Sequence, residues 1–170
     1  IAPSKITTVY HGVAPEWQLG FPDDETLPED LRDRNFVFSL GNSLPYKNLP
    51  RLLRAFAQLE EPGLLLVFAG RGEGNAELLA LARQLGAEDR IRFVGQLSDA
   101  QIRACLTHAL FFAFPSLIEG FGLPVLEAMA CGSPVLTSNC SSLAEIAGDD
   151  ALLIDPEDVG SIAAGMRRLL

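Results

Sequence analysis

The chain is expected to fold as a doubly wound, Rossmann-like α/β domain: a six-stranded parallel sheet with helices on both faces. Three observations predict this. Short apolar runs alternate with segments whose apolar residues recur at helical spacing. The runs are largely apolar rather than apolar at every second position, as strands covered on both faces require. At 170 residues, 48% of them hydrophobic, the chain has the length and apolar content for one domain with a sizeable core.

Taken in order, residues 6–10 (I-T-T-V-Y) read as a short entry strand ending in His11-Gly12-Val13. Residues 14–35 are rich in Pro, Asp and Glu and read as a solvated loop with one helical turn at 29–32. The first strand of the main sheet is 36–40. Leu49, Leu52, Leu53, Phe56 and Leu59 follow at helical spacing, with Arg51, Arg54 and Gln58 on the other face. The run 64–69 is the second strand, and Leu78, Leu81, Ala82 and Leu85 mark a helix closed by Gly86. The third strand is 91–94. Ser98 and Gln101 form a capping box for a helix that carries Ile102, Cys105 and Leu106. The fourth strand, 110–114, leads into a glycine turn and a helix from Leu123, where Pro124 suits a first turn. Gly132 with Pro134 beyond it stops that helix. Residues 135–137 make the fifth strand, Ser142 and Glu145 a second capping box, and 152–154 the sixth strand. Val159, Ile162, Ala163, Met166 and Leu169 begin a final helix. With right-handed crossovers and the order 3-2-1-4-5-6, the strands at 36–40 and 110–114 are neighbours at the switch point. The loops 41–48 and 115–122 then face each other, where ligands of such sheets bind.

Composition narrows the partners. A net charge of −9 and a pI near 4.6 argue against nucleic acid and against docking of this domain on an anionic membrane. No apolar run reaches the length of a membrane span, and I-A-P-S-K lacks the charged-then-apolar pattern of a secretory leader. Cysteines 105, 131 and 140 have no C-x-x-C spacing and read as buried free thiols in a reducing compartment. A cytoplasmic location is expected, peripheral to a membrane only through some other domain. The chain also reads as a piece of something longer, opening on a strand-like segment and ending inside a helical pattern.

The chemistry concentrates in 115–135, P-S-L-I-E-G-F-G-L-P-V-L-E-A-M-A-C-G-S-P-V. Glu119 and Glu127 frame it with seven residues between them. Glu127 interrupts the apolar sequence Val125, Leu126, Ala128, Met129, Ala130, which predicts a buried helix carrying one carboxylate. Such a carboxylate needs a partner or it protonates, and the vicinal hydroxyls of a ribose are one such partner. The glycine turn lets a ligand approach the backbone, and the free N–H groups of the helix start suit a phosphate. The plainer alternative is that both glutamates only complement the helix dipole.

This stretch resembles the E-x(7)-E signature of the family-4 retaining glycosyltransferases, also called group 1, which have the GT-B fold. The likeness covers both glutamates, the glycine turn and the G-x-P-V exit, and flanking pieces extend it over nearly the whole chain. It implies the C-terminal, nucleotide-sugar-binding domain, residues 1–170, with 1–35 as entry strand and loop and 36–170 as the Rossmann-like core. The N-terminal acceptor domain, with a further catalytic histidine, would be absent, so the domain would bind donor without turnover. The donor-binding set implied is Lys47, Asn42, Ser43, Glu119, Gly120, Phe121, Gly122, Leu123 and Glu127, with Val94 and Gly95 against the base. Glu127 would hold the ribose hydroxyls and Glu119 the donor sugar. Backbone N–H groups of Phe121, Gly122 and Leu123 would meet sugar and phosphate.

Two departures from the family pattern stand out. Lys47 in G-N-S-L-P-Y-K-N matches the family's lysine on the diphosphate, but Asn42 occupies the place of its usual arginine. His11 replaces the asparagine of an N-G-V and reads as a structural hydrogen-bonder. The H-G-V and G-N-S-L-P-Y-K-N runs look most like mannosyltransferases of bacterial surface polysaccharide synthesis, favouring a GDP-sugar over a UDP-sugar. The acceptor, a sugar or lipid-linked glycan, would be met by the other domain. No cofactor and no metal are expected. No Asp-x-Asp follows a predicted strand, and the clustered acids Asp23-Asp24-Glu25 lie in the N-terminal loop. Gly70-Arg71-Gly72-Glu73-Gly74 imitates a dinucleotide fingerprint but has Asn75 at the sixth position and follows the second strand, so it reads as a tight turn. Two alternatives share the architecture: a non-catalytic nucleotide-binding or flavodoxin-like interaction domain, and half of a GT-B nucleotide-sugar epimerase. The first leaves Glu127 unexplained.

Overall fold

Short, largely apolar runs satisfy their backbone best in a ladder and their side chains best between two layers. In the computed structural model, which describes residues 2–18, 26–70 and 76–170, six such runs are strands: β1 (Phe36–Leu40), β2 (Leu65–Ala69), β3 (Ile91–Gly95), β4 (Phe111–Phe114), β5 (Val135–Ser138) and β6 (Leu152–Ile154). All pairs are parallel, and the order is β3-β2-β1-β4-β5-β6. β1 pairs with β4 through Val37 opposite Phe111 and Phe38 opposite Phe112. The switch point therefore lies where the chain order predicts it.

Alternate strand residues feed two cores. One face, with Val37, Leu66, Phe68, Phe111 and Leu136, packs against α1 (Leu49–Phe56), α2 (Ala76–Gln84) and α6 (Val159–Leu169). The other, with Phe36, Phe38, Val67, Phe112 and Phe114, packs against α3 (Asp99–His108), α4 (Leu123–Ala130) and α5 (Ser141–Ala147). Each fully buried Phe or Leu is worth about 1.5–3 kcal/mol of transfer free energy, so both faces hold the sheet rigid beneath its loops. No described helix is long and apolar enough to cross a membrane.

Among the described residues, two helix starts are capped by a side chain. Ser98 caps α3 in a full capping box with Gln101, and Asp158 caps α6 by accepting from the N–H of Gly160 at 2.8 Å. The expected box of Ser142 and Glu145 does not form. Cys140 is the N-cap residue of α5, so Ser142 already lies inside the helix. Its hydroxyl donates to the carbonyl of Glu119 at 3.0 Å, and Glu145 accepts the Tyr10 hydroxyl.

Residues 6–10 are not a strand. They carry β-favouring residues, yet they pair with neither sheet edge, and Ile6, Val9 and Tyr10 are exposed. β-propensity without a ladder to join does not make a strand. The single turn at Glu29–Leu31 is present as 3₁₀. Cys105 is buried, whereas Cys131 and Cys140 are only half-buried, and all three thiols are free. Burial, and after it Asp30, pushes the Cys105 thiol up to about 12. The runs Asp23-Asp24-Glu25 and Arg71–Asn75, on which the acidic cluster and most of the glycine decoy fall, lie outside the described residues.

Candidate functional site

The carboxyl ends of β1 and β4 lie side by side, so the loops that follow them must meet. They are tied along their length. The N–H of Leu117 donates to the carbonyl of Tyr46 at 2.7 Å, and Asn48 Nδ2 donates to the carbonyl of Pro115 at 3.0 Å. Between these ties, Lys47 Nζ reaches Glu119 Oε1 at 2.7 Å, with the two side chains 12% and 15% exposed. The lysine is boxed in. Its ammonium lies 4.5 Å from the centre of the Phe114 ring, and its stem runs so close to Gly41 that a Cβ there would stand 3.3 Å from Cε. Lys47 and Glu119, separated by 72 positions, are thus the paired cation and anion of one site.

Beyond Glu119 the loop turns at Gly122, which has φ +110° and begins α4. A side chain would be strained there, and its Cβ would come 2.7 Å from Leu143 Cδ2. Among the described residues, the N–H groups of Phe121, Gly122 and Leu123 donate to no protein acceptor. They form the open, positive end of α4 beside the ion pair. Phe121 is packed from outside by His11, edge-on with ring centres 5.0 Å apart, and by Tyr10 at 6.4 Å. His11 therefore serves as a packing residue against the motif loop.

α4 is less buried than its sequence suggests. Val125 and Ala128 face the core, Leu126 and Met129 are half-buried, and Leu123 is exposed. Glu127 is also half-buried, and among the described residues no hydrogen bond or ion pair satisfies it. Burial, and after it the nearby Asp99 carboxylate, pushes Glu127 above the usual carboxylate range. A carboxylate kept at a cost and unpaired by the protein is what a diol-binding residue would look like before its ligand arrives.

Asp99 also lines a cavity of about 370 Å³ at the carboxyl ends of β1, β2 and β3, together with Leu40, Gly41, Asn42, Gly70, Gln96, Leu97 and Ile102. Asn42 Oδ1 accepts from the N–H of Leu44 at 3.3 Å, so this side chain shapes its own loop. Ser43 is exposed. Val94 packs into the α3–α5 core, and the carbonyl of Gly95 accepts from Gly70 at 2.8 Å. The cavity is lined instead by the next residues, Gln96 and Leu97, and by Asp99. Sequence reasoning missed these three, and Asn48; the signal for Asp99 was its place at the first turn of a helix facing the motif. Gly41 and Gly70 permit the closest backbone approach. At Gly70, φ is +143° and a Cβ would lie 2.0 Å from the Gly41 carbonyl oxygen. A larger cavity, about 680 Å³, lies between the loop after β1, α1 and α2, with Arg51 and Arg54 on its wall. Ser43, Asn48 and Glu77 also line it, and neither Glu119 nor Glu127 does.

Fold and site together define a doubly wound domain with a half-buried ion pair and the open N-terminus of α4 at its switch point. Comparison with known proteins makes the class specific: residues 24–170 match the family model described as "Glycosyl transferases group 1", and the chain belongs to that family. Among curated relatives, O-antigen chain mannosyltransferase B of Escherichia coli is 38% identical over 135 residues, covering 77% of this chain and 35% of that protein. The MMP alpha-(1->4)-mannosyltransferase of Mycolicibacterium hassiacum is 36% identical over 157 residues, covering 89% of this chain and 38% of that protein. The chain thus spans little more than a third of the length of these two relatives. Among solved structures, WaaG, a glycosyltransferase involved in lipopolysaccharide biosynthesis, superposes with a TM-score of 0.81 at 22% identity, over 98% of this chain and 48% of that one. HepE of Anabaena, in complex with UDP and glucose, gives 0.79 at 22% identity, over 92% of this chain and 45% of that one. These structures share the fold, a Rossmann-like unit of GT-B glycosyltransferases.

Proposed function

We propose that the chain is the donor-binding domain of a hexosyltransferase that moves a hexose from a nucleoside-diphosphate sugar to an acceptor with retention at the anomeric carbon. The observation that carries this is the meeting of Lys47 and Glu119 across the β1–β4 switch point, beside a helix on which Glu127 is unpaired. Lys47 and the N–H groups of Phe121, Gly122 and Leu123 take the diphosphate. Glu119 takes the sugar, and Glu127 accepts from the ribose hydroxyls. The base lies against the loop after β3, toward the cavity that holds Gln96, Leu97 and Asp99. The bond from the anomeric carbon to the diphosphate oxygen breaks, leaving an oxocarbenium-like sugar, and the lysine and the α4 N–H groups stabilise the departing negative charge.

The acceptor and the rest of the catalytic machinery belong, in this reading, to another domain of a longer protein, and the coverage of relatives by this chain supports that further domain; the protein is read as cytoplasmic. The names of the curated relatives support mannose as the hexose, which makes a GDP-sugar the first donor to test. Metal is assigned no role, because Lys47 and the α4 N–H groups supply the positive charge. Calorimetric titration with GDP, UDP, ADP and their sugars, with and without EDTA, tests the reading. Binding of at least one nucleoside diphosphate, unchanged by EDTA, is expected. A strict need for magnesium or manganese, or no binding at all, would overturn it.

A further inference from the structure

We propose that Asn48 is a positioning residue of the donor site: it fixes where Lys47 presents its ammonium by tying the loop after β1 to the loops after β4 and β6. The inference rests on the reading of Lys47 as the diphosphate contact. Asn48 is 2% exposed. Both hydrogens of its Nδ2 are used, one on the carbonyl of Pro115 at 3.0 Å and one on the carbonyl of Pro156 at 2.7 Å. Its Oδ1 accepts from Arg51 Nη1 at 3.0 Å. Two connections to loops far away in sequence, and one local bond from Arg51, therefore converge on the residue next to Lys47.

The backbone alone does not call for this side chain. Asn48 has φ 60° and ψ 26° and starts α1 in a left-handed conformation that glycine adopts more freely. What asparagine adds is the reach to Pro115 and Pro156. Pro115 opens the loop that bears Glu119, so the same side chain sets the distance between the site's cation and its anion. Lose it, and two buried carbonyls lose their donor, while among the described residues the Lys47 loop keeps only the backbone bond between Leu117 and Tyr46 and the Lys47–Glu119 pair as ties to the loop after β4.

Asn48→Gly keeps the backbone conformation and deletes the bridge. Wild type, Asn48→Gly, Lys47→Ala and the double variant are titrated with GDP and guanosine, and with UDP and uridine. Asn48→Gly is expected to weaken the diphosphate roughly tenfold relative to its nucleoside, a fraction of what a whole charge-assisted contact carries. In the Lys47→Ala background it should cost the diphosphate nothing further, because the displaced group is already gone. Equal weakening of both ligands, an unchanged ratio, or a full tenfold loss in the Lys47→Ala background would make Asn48 a packing residue and overturn the proposal. A wild type that binds no diphosphate overturns the donor-site reading itself, and the role of Asn48 with it. If Asn48→Gly does not fold, Asn48→Asp, which keeps the shape and the acceptor for Arg51 but sets a carboxylate against two carbonyls, goes through the same comparison.

Discussion

Replacing Glu119 by glutamine removes the anion that Lys47 holds at 2.7 Å. At that separation the attraction is about 6 kcal/mol at an effective dielectric constant of about 20, and about 1.5 kcal/mol in bulk water. With 12% and 15% of the side chains exposed, the pair sits between these limits, and desolvation returns most of the gain, leaving about 1–2 kcal/mol net. A diphosphate arriving at the site has to draw Lys47 away from Glu119 and tolerate the carboxylate beside it. Glu119→Gln should therefore tighten nucleoside diphosphates by about five- to thirtyfold. Nucleoside affinity should stay the same, and the extra affinity of a sugar nucleotide over its diphosphate should be lost. Lys47→Ala should move in the opposite direction, weakening diphosphates by about 1.5–3 kcal/mol, or one to two decades, with little effect on nucleosides. Isothermal titration at neutral pH with nucleoside, diphosphate and sugar nucleotide reads all of this. If Glu119→Gln weakened diphosphates, or left them unchanged, Lys47 would be bridging both groups at once and the competition argued from the ion pair would not exist.

Glu127→Gln should discriminate ribose from 2′,3′-dideoxyribose nucleotides less than wild type does, since the wild type loses about 1.5–3 kcal/mol per strong contact on going to the dideoxy ligand; a double difference near zero refutes the ribose assignment. The same variant tests the electrostatics without ligand. Glu127 holds its proton more tightly in the folded state than in the unfolded chain. Its contribution to stability therefore falls as pH rises from the ordinary carboxylate value, about 4.3, through the raised folded value. Glu127→Gln should accordingly melt above wild type at about pH 7, with the difference gone below about pH 4; a variant that melts lower at neutral pH would show that the carboxylate has a stabilising partner. Gly70→Ala should cost about 4 kcal/mol or more, because its Cβ would stand 2.0 Å from the Gly41 carbonyl oxygen, whereas Gly86→Ala, with φ +65° and open space around it, should cost about 1–2 kcal/mol in chemical denaturation. Equal costs would show that the approach of Gly41 and Gly70 is loose.

The sheet was legible because its strands are short, largely apolar runs without period-two alternation, and the switch point followed from strand order alone. From there the facing of Lys47 and Glu119 could be deduced before any coordinates. Other features depended on neighbours far away in sequence. I-T-T-V-Y has the residues of a strand, and only the absence of a pairing edge for it decides otherwise. Ser142 and Glu145 have capping-box spacing, but α5 begins two residues earlier than that box requires, and each side chain is claimed by a distant group, Glu119 or Tyr10. The apolar run around Glu127 reads as a buried helix, yet α4 turns one side outward, and burial of that kind is a property of what lies opposite. Asn48 gave no pattern at all. A lone asparagine before Leu-Pro reads as a turn residue until the carbonyls of Pro115 and Pro156 are seen around it.

The 72-residue separation of Lys47 and Glu119 also bears on how the chain folds. Neither loop can find the other until β1 and β4 are hydrogen-bonded, and that pairing joins segments with two intervening strands, β2 and β3, in the sequence. A partly folded chain that has made only its first three strands carries Lys47 without its counter-ion and has no site. A ligand that spans both loops can bind only the finished sheet, so it stabilises the native state by mass action alone, about 2.7 kcal/mol at a hundredfold excess over its dissociation constant. Thermal melting of the whole domain then serves as a gauge of occupancy at one pair of loops.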